Sequence, residues 1–424
     1  MTMAAIAGSK GRVRISDARP SFHVEIVDQL LSGAATPRAA ARALMDRAKL
    51  REAGVDTNMV CNLACRYCYL GDRPEQKGTA NLDALLAYLK ALVSSGARLI
   101  AFIGKEPLAD NRALTLLRAL ADWRQSDAPL WFRTGMVTNG TLIDQKLEAL
   151  LASGVSYLDV SLDGIGQDTD SMRGKGVFAK AIANVERLLS DGFDGEFAIT
   201  SVMHRGNRDR FFVFADEMFS RDVPTVFTSP ILRFTDDLRI SNWALTHEEI
   251  VRLIEQCVGY AAASGLNVDG GQQLILDLPY KYSWYLVRSG HVQAKDIWED
   301  GFEAQFYQPD PNVNFVVKMN FLSLSFWRAL RVTHDGTVVE NMDLAAHPGY
   351  ASNTHHLSGR DRAWYFGGEL SRVGEQYHDW FFRRHACSQL AEDDAHYREV
   401  DVQYEKHLFA AVGGHEAENQ QVFA

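Results

Sequence analysis

The chain is predicted to be an α/β protein, with a parallel sheet flanked by helices and a smaller α+β segment after it. Three observations carry that class. From about residue 51 to 235, short apolar runs alternate with amphipathic helical patterns in six strand-then-helix units. Glycines and polar residues gather where those strands should end, in GKEP, TNGT, SLDG and SPIL. Open sheets and barrels both hold their ligands at that end. After about residue 235 the rhythm gives way to an aromatic-rich stretch.

Taken in order, residues 1–50 read as an extended piece and then a helix. In TPRAAARALMDRAKL, Thr36 is placed to cap the helix and Pro37 to open it. Strands are expected in AGVDTNMVC, RLIAFIG, WFRTGMVTNG, VSYLDVSLDG, GEFAITSVM and VPTVFTSPIL. Between the first two lies NLDALLAYLKALVSSG, whose Leu82, Leu85, Leu86, Leu89 and Leu92 share one helical face ahead of a stop at Gly96. A linking helix fills 236–265. A second, smaller domain covers 266–410, rich in aromatics over 281–330, and 411–424 is a tail. The sheet is expected to be open or curled into a partial barrel.

Composition narrows the function. With 424 residues, 46% of them apolar, the chain is globular, and its length is a soft pointer to two or three domains. A formal charge of −10 and no long basic run argue against a nucleic-acid or membrane-surface binder. No run of about 18 apolar residues occurs. The N-terminal apolar stretch is too short for a signal peptide, so a cytoplasmic, reducing setting is expected.

Three of the five cysteines, Cys61, Cys65 and Cys68, stand in C-x3-C-x2-C just past the first expected strand. Thiolates so spaced suit an iron–sulfur cluster, and three ligands would leave one iron open. A structural zinc ion would need a fourth Cys or His nearby, which the spacing does not offer. Cys257 falls on a helical apolar stripe with Ile250, Leu253 and Ile254, which reads as core packing. Cys387, in RRHACSQL, follows an aromatic helix. Its ordinary reading is also a packed cysteine.

MVCNLACRYCYLG resembles the signature of the radical S-adenosylmethionine (SAM) enzymes, C-x3-C-x-aromatic-C, with Tyr67 in the aromatic place. The resemblance implies a partial (β/α)6 barrel and a [4Fe–4S] cluster on Cys61, Cys65 and Cys68. SAM would chelate the open iron and be cleaved to a 5′-deoxyadenosyl radical. IGKEPL resembles the family's Gly-Gly-Glu-Pro segment, which holds the SAM amino group. Gly104, Glu106 and Pro107 match it, and Lys105 replaces the second glycine. VTNGTLI and VSLDGIGQDTDSMRGKGVF resemble the peptide- and protein-modifying branch. By that likeness Asn139, Ser161, Asp163 and Arg173 are expected near SAM.

That branch often ends in a SPASM or twitch domain carrying further cysteines for auxiliary clusters. LRVTHDGTVVENMD resembles its hairpin, with Asp-Gly suggesting a two-residue turn, but Asn341 and Met342 stand where a cysteine is usual. Cys387 alone remains downstream, too little for a cubane, so redox-neutral chemistry is expected. One cluster, a cluster-free SPASM-like domain and a lone C-terminal cysteine together resemble the proteusin peptide epimerases. These convert L- to D-residues in ribosomal peptides of the polytheonamide type. The likeness implies a precursor peptide with a leader, a flavodoxin- or ferredoxin-type reductase, and Cys387 as hydrogen-atom donor. The alternatives are another radical SAM reaction, a crosslink or rearrangement, on a peptide or small-molecule natural product, or a cluster-bearing peptide binder without turnover.

Overall fold

Apolar runs become strands here because their alternate side chains find two separate cores. The structure is a computed structural model that describes residues 22–47, 51–68, 81–231, 243–300, 304–321, 329–339, 355–356, 375, 379, 382–383 and 386. All six expected strands form: β1 (Glu52–Asp56), β2 (Leu99–Ile103), β3 (Arg133–Thr138), β4 (Tyr157–Ser161), β5 (Glu196–Met203) and β6 (Thr225–Pro230). On one face Val55, Phe102, Met136, Leu158 and Val160 pack with the helices. The residues between them on the strands, Leu99, Ala101, Ile103, Tyr157, Ala198 and Phe227, join a second, smaller cluster on the inner face.

The helices are α1 (Phe22–Leu31), α2 (Pro37–Arg47), α3 (Leu82–Ser94), α4 (Arg112–Ser126), α5 (Ile143–Leu151), α6 (Gln167–Arg173), α7 (Val177–Ser190), α8 (Phe211–Phe219), α9 (His247–Ala263) and α10 (Tyr280–Arg288). The caps follow the residue chemistry. Thr36 accepts from the Ala39 amide at α2, and Asn81 from the Ala84 amide at α3. Thr246 and Glu249 form a reciprocal capping box at α9. α1 is an addition to the expected pattern. FHVEIVDQLL is rich in β-branched residues that read as extended chain, yet Val24, Ile26, Val27 and Leu30 bury one side of a helix.

The rhythm change after residue 235 marks no break in the sheet. α9 is a crossover helix leading to β7 (Gln273–Leu278), which pairs in parallel with β6. The remaining strands are β8 (Ile297–Glu299), β9 (Gln305–Tyr307), β10 (Phe315–Met319), β11 (Ala329–Val332), β12 (Thr337–Val339) and β13 (His355–His356). The order across the 13-stranded sheet is β13-β12-β11-β1-β2-β3-β4-β5-β6-β7-β10-β9-β8. Every pair from β11 to β10 in that order is parallel, and the pairs beyond them are antiparallel. The result is an α/β half-barrel with its parallel strand ends on one rim.

The expected hairpin is β11–β12, but its turn differs from a two-residue loop. The Gly336 amide donates to the Thr333 carbonyl, Gly336 is left-handed (φ 87°), and His334 and Asp335 are not. A tight two-residue turn of the Asp-Gly kind needs left-handed backbone at both central positions. Here a four-residue turn closes on the glycine instead. Among the described residues no helix is long and apolar enough to cross a membrane.

Candidate active site

The site is built where β1 to β5 end. Past β1 the chain turns through Asn58, which takes the Val60 amide on its side-chain oxygen and donates to the Glu106 carbonyl. The Glu106 amide in turn donates to Val60 O. The loop that follows carries the three cysteines. The Leu63 amide points at Cys61 Sγ (3.4 Å), and the Cys68 amide donates to Cys65 O. Burial pushes the Cys61 thiol up, opposed by the Leu63 amide, and pushes Cys65 up to about 11 against the pull of Arg173. Cys68 is exposed.

Two buried carboxylates stand at this rim, and one of them, Asp163, fastens the loop directly through Tyr67. Glu106, 1% exposed, caps a one-turn 3-10 helix over Pro107–Ala109. Its Oε1 accepts from Leu108 N (3.0 Å) and Thr138 Oγ1 (2.6 Å), and its Oε2 from Asn139 N (2.8 Å). Desolvation raises its pKa and those three donors oppose it. Asp163, just past β4, accepts from Tyr67 Oη (2.6 Å), from Arg173 Nε and Nη2 (2.8 and 3.1 Å) and from Val202 N (3.2 Å). The Arg173 guanidinium also lies 5.5 Å from the centre of the Tyr67 ring. Burial pushes the Tyr67 phenol up. At Arg173 burial is the largest influence and lowers the pKa, but the charge and hydrogen bonds of Asp163, together with Tyr67 and Cys65, outweigh it and leave the pKa raised.

A third link escaped the sequence reading. Asn139 donates to Asn62 Oδ1, Asn62 donates to Thr141 Oγ1, and Thr141 donates back to Asn139. The cysteine loop and the turn after β3 are thereby one hydrogen-bonded unit. The only signal for Asn62 and Thr141 is their place inside the quoted motifs. Gly104 has φ 109°, and a Cβ there would stand 2.3 Å from Asp56 Oδ1. Lys105 follows it, and its charge slightly opposes the rise in the Cys61 pKa. Ser161 is buried at the end of β4.

One inner-face residue below Ser161 is a feature with no sequence forewarning. Asp159 is buried, and neither its Oδ1 nor Oγ1 of Thr200 has a hydrogen-bond partner. Burial pushes its carboxyl up to about 7, against the pull of the Arg173 charge.

The donor set bears on the kind of metal. The thiols are close enough that Cys68 raises the pKa of both others. Yet among the described residues no three His, Cys, Asp or Glu side chains converge on one metal ion. Cluster ligands bind separate irons and stand further apart than the tetrahedral ligands of a single zinc ion. Three thiols on one loop are the donor chemistry of an iron–sulfur cluster, and in that respect these residues fit one. Cys257 is buried in the core behind the sheet. Cys387 lies outside the described residues. Nearby, Phe382 and Ala386 join the core, and the Phe382 ring lies 6.3 Å from Trp284 of α10. Trp284 Nε1 donates to the Phe321 carbonyl, just past the rim end of β10.

Comparison with known proteins agrees with this geometry. Residues 55–215 match the family model of the radical SAM superfamily. The chain is 31% identical over 195 residues to a GTP 3′,8-cyclase of Parasynechococcus marenigrum, covering 42% of this chain and 56% of that one. It is 33% identical over 135 residues to an Fe-coproporphyrin III synthase of Methanosarcina barkeri, covering 31% and 32%. The chain spans about half the length, or less, of these curated relatives. In fold it is similar to Streptococcus suis SuiB bound to the precursor peptide SuiA, with TM-score 0.58, 13% identity, and 79% and 69% of the two chains covered. It is also similar to anSMEcpe with bound AdoMet and the Cp18Cys peptide, with TM-score 0.54, 15% identity, and 85% and 96% covered.

Proposed function

We propose that this chain, which carries a radical SAM domain, is a peptide epimerase that inverts residues of a ribosomally made precursor from L to D. Proteins of this superfamily use a [4Fe–4S] cluster and SAM. In this reading Cys61, Cys65 and Cys68 hold the cluster, and Tyr67, Gly104, Glu106, Pro107, Asn139, Ser161, Asp163 and Arg173 shape the SAM site. When bound, that pair supplies the one-electron chemistry that removes a hydrogen atom from a substrate C–H bond.

The remaining steps belong to the protein. The Glu106 backbone, bonded to Asn58 and Val60, and the Asp163 carboxylate, bonded to Tyr67, hold the cysteine loop on the rim, so the reacting atoms start in register. The Cys387 S–H bond breaks to return a hydrogen atom to the opposite face of Cα. The sulfur radical left behind is reset by one electron and one proton, the electron coming from a flavodoxin- or ferredoxin-type reductant of the cytoplasm. The observation that carries the assignment is in the sequence, where Cys387 is the lone cysteine of the C-terminal segment. Cys257, sealed in the core, is no competitor. The peptide substrate is supported by the fold shared with SuiB and anSMEcpe, both solved with peptides.

Co-expression with candidate precursor peptides in D2O tests the reading. Epimerisation adds about one mass unit per inverted residue and leaves the mass unchanged in H2O. Cys387→Ala should still cleave SAM reductively and stop epimerising. Full epimerase activity in that variant rules out the donor. The likeness to GTP 3′,8-cyclase favours a second reading, a rearrangement of a small molecule. A peptide whose mass and stereochemistry never change would support it.

A further inference from the structure

β11 joins the sheet beside β1 and brings one long side chain to the base of the cysteine loop. Arg331 Nε donates to Asp56 Oδ2 at 2.8 Å, and Nη2 donates to Oδ1 at 2.7 Å. Both residues are buried, Arg331 at 2% and Asp56 at 4% exposure. The fork is bidentate, which fixes the plane of the carboxylate as well as its position. Asp56 is the last residue of β1, five before Cys61. Its Oδ1 is packed onto Gly104 so closely that a Cβ there would stand 2.3 Å away. Gly104 has φ 109°, so its peptide follows a path that only glycine takes easily. Asp56 therefore fills the space beside Gly104, and Arg331 determines where Asp56 can stand.

We propose that Arg331 and Asp56 are positioning residues for the amino-acid end of SAM. This rests on reading the segment Gly104–Pro107 as the part of the rim that receives that end. Arg331 holds Asp56, Asp56 sets the backbone of Gly104, and the Gly104–Pro107 segment presents its polar groups accordingly. Neither side chain touches the cofactor. The arrangement also ties cofactor affinity to the docking of the β11–β12 hairpin, because Arg331 belongs to the hairpin and Asp56 to the core.

The test uses two ligands with the same adenosine part, S-adenosylhomocysteine and 5′-methylthioadenosine, of which only the first carries the amino acid. Arg331→Lys keeps the charge and loses the planar fork. It should weaken S-adenosylhomocysteine about ten-fold, the scale on which supporting residues act on a neighbouring site. Binding of 5′-methylthioadenosine should not change, and iron and sulfide per chain should stay at the wild-type level. The paired change Asp56→Asn with Arg331→Gln leaves no lone buried charge, so it keeps the test open if the single variant folds poorly. It should show the same split. Equal weakening of both ligands, or no weakening of either, overturns the proposal. A wild-type chain that binds neither ligand overturns the cofactor-site reading together with it.

Discussion

Asp163 shows how unequal the members of one small network are. Its carboxylate holds Arg173 through two bonds and Tyr67 through one, and both carboxylate and guanidinium are buried. Removing the phenol hydroxyl in Tyr67→Phe takes away one hydrogen bond, about 1 kcal/mol. Asp163→Asn leaves the Arg173 charge buried without its counter-charge, which costs about 3–5 kcal/mol. Urea unfolding of the two variants should give that order, and equal losses would show that Arg173 finds another partner. Asp159 has the opposite character, a carboxyl that burial works against. Its folded pKa is about 7, against about 3.9 for an unfolded aspartate. Between those values the folded chain keeps a proton that the unfolded chain has lost, so this residue makes stability fall as the pH rises from about 4 to 7. Asp159→Asn removes that dependence. Relative to the wild type it should gain little at pH 4 and up to about 4 kcal/mol at pH 8, taking about 1.4 kcal/mol per pKa unit. A stability difference that does not vary with pH would mean the carboxyl finds solvent or a partner.

At the scale of elements, β2 and β3 are joined at the rim by the Glu106 carboxylate and its three donors. Glu106→Gln turns one accepting oxygen into an NH2 group that faces donors. With bonds to a charged group each contributing about 1.5–3 kcal/mol, a loss of at least about 2 kcal/mol is expected. Denaturation should report it, and a neutral outcome would place the carboxylate's role in ligand binding alone. Which elements were legible in the sequence follows from the range of the interaction that makes them. β1 to β6, and the caps at Thr36 and at the stop near Gly96, depend on neighbours a few residues away, and all of them were readable. β7 was not, because QLILDL is short and wholly buried, and the helix after it, YKYSWYLVR, is rich in aromatics, with one Leu and no Ala to mark a helix. Pairing of β11 with β1 joins residues almost 280 apart, and no local pattern announces it. The site divides the same way. The three cysteines, Glu106, Asp163 and Arg173 stand in readable motifs. Their partners Asn62, Thr138 and Thr141, and the buried Asp159, acquire roles only when separate strand ends meet.

For the whole molecule, the question is whether the fold needs the metal. Small zinc domains are unfolded without theirs, because the ligands are the core. Here the cysteines stand on a loop at the rim, one of them exposed, whereas the cores lie among the strands and between strands and helices. The loop is also held without metal, through Asn58 to Glu106, Asn62 to Asn139, Tyr67 to Asp163 and the Arg66 amide to Met172 O. Those links run to four different places on the rim, so removing the sulfur ligands leaves the loop anchored. The triple variant Cys61→Ala/Cys65→Ala/Cys68→Ala is therefore expected to express as a folded chain. Its far-UV circular dichroism should match the wild type, with a cooperative thermal transition within a few degrees of the metal-free parent. It should bind no iron after reconstitution and cleave no SAM. A variant that loses its cooperative transition would show that the cysteines themselves, and not the hydrogen-bonded clasps, organise the rim.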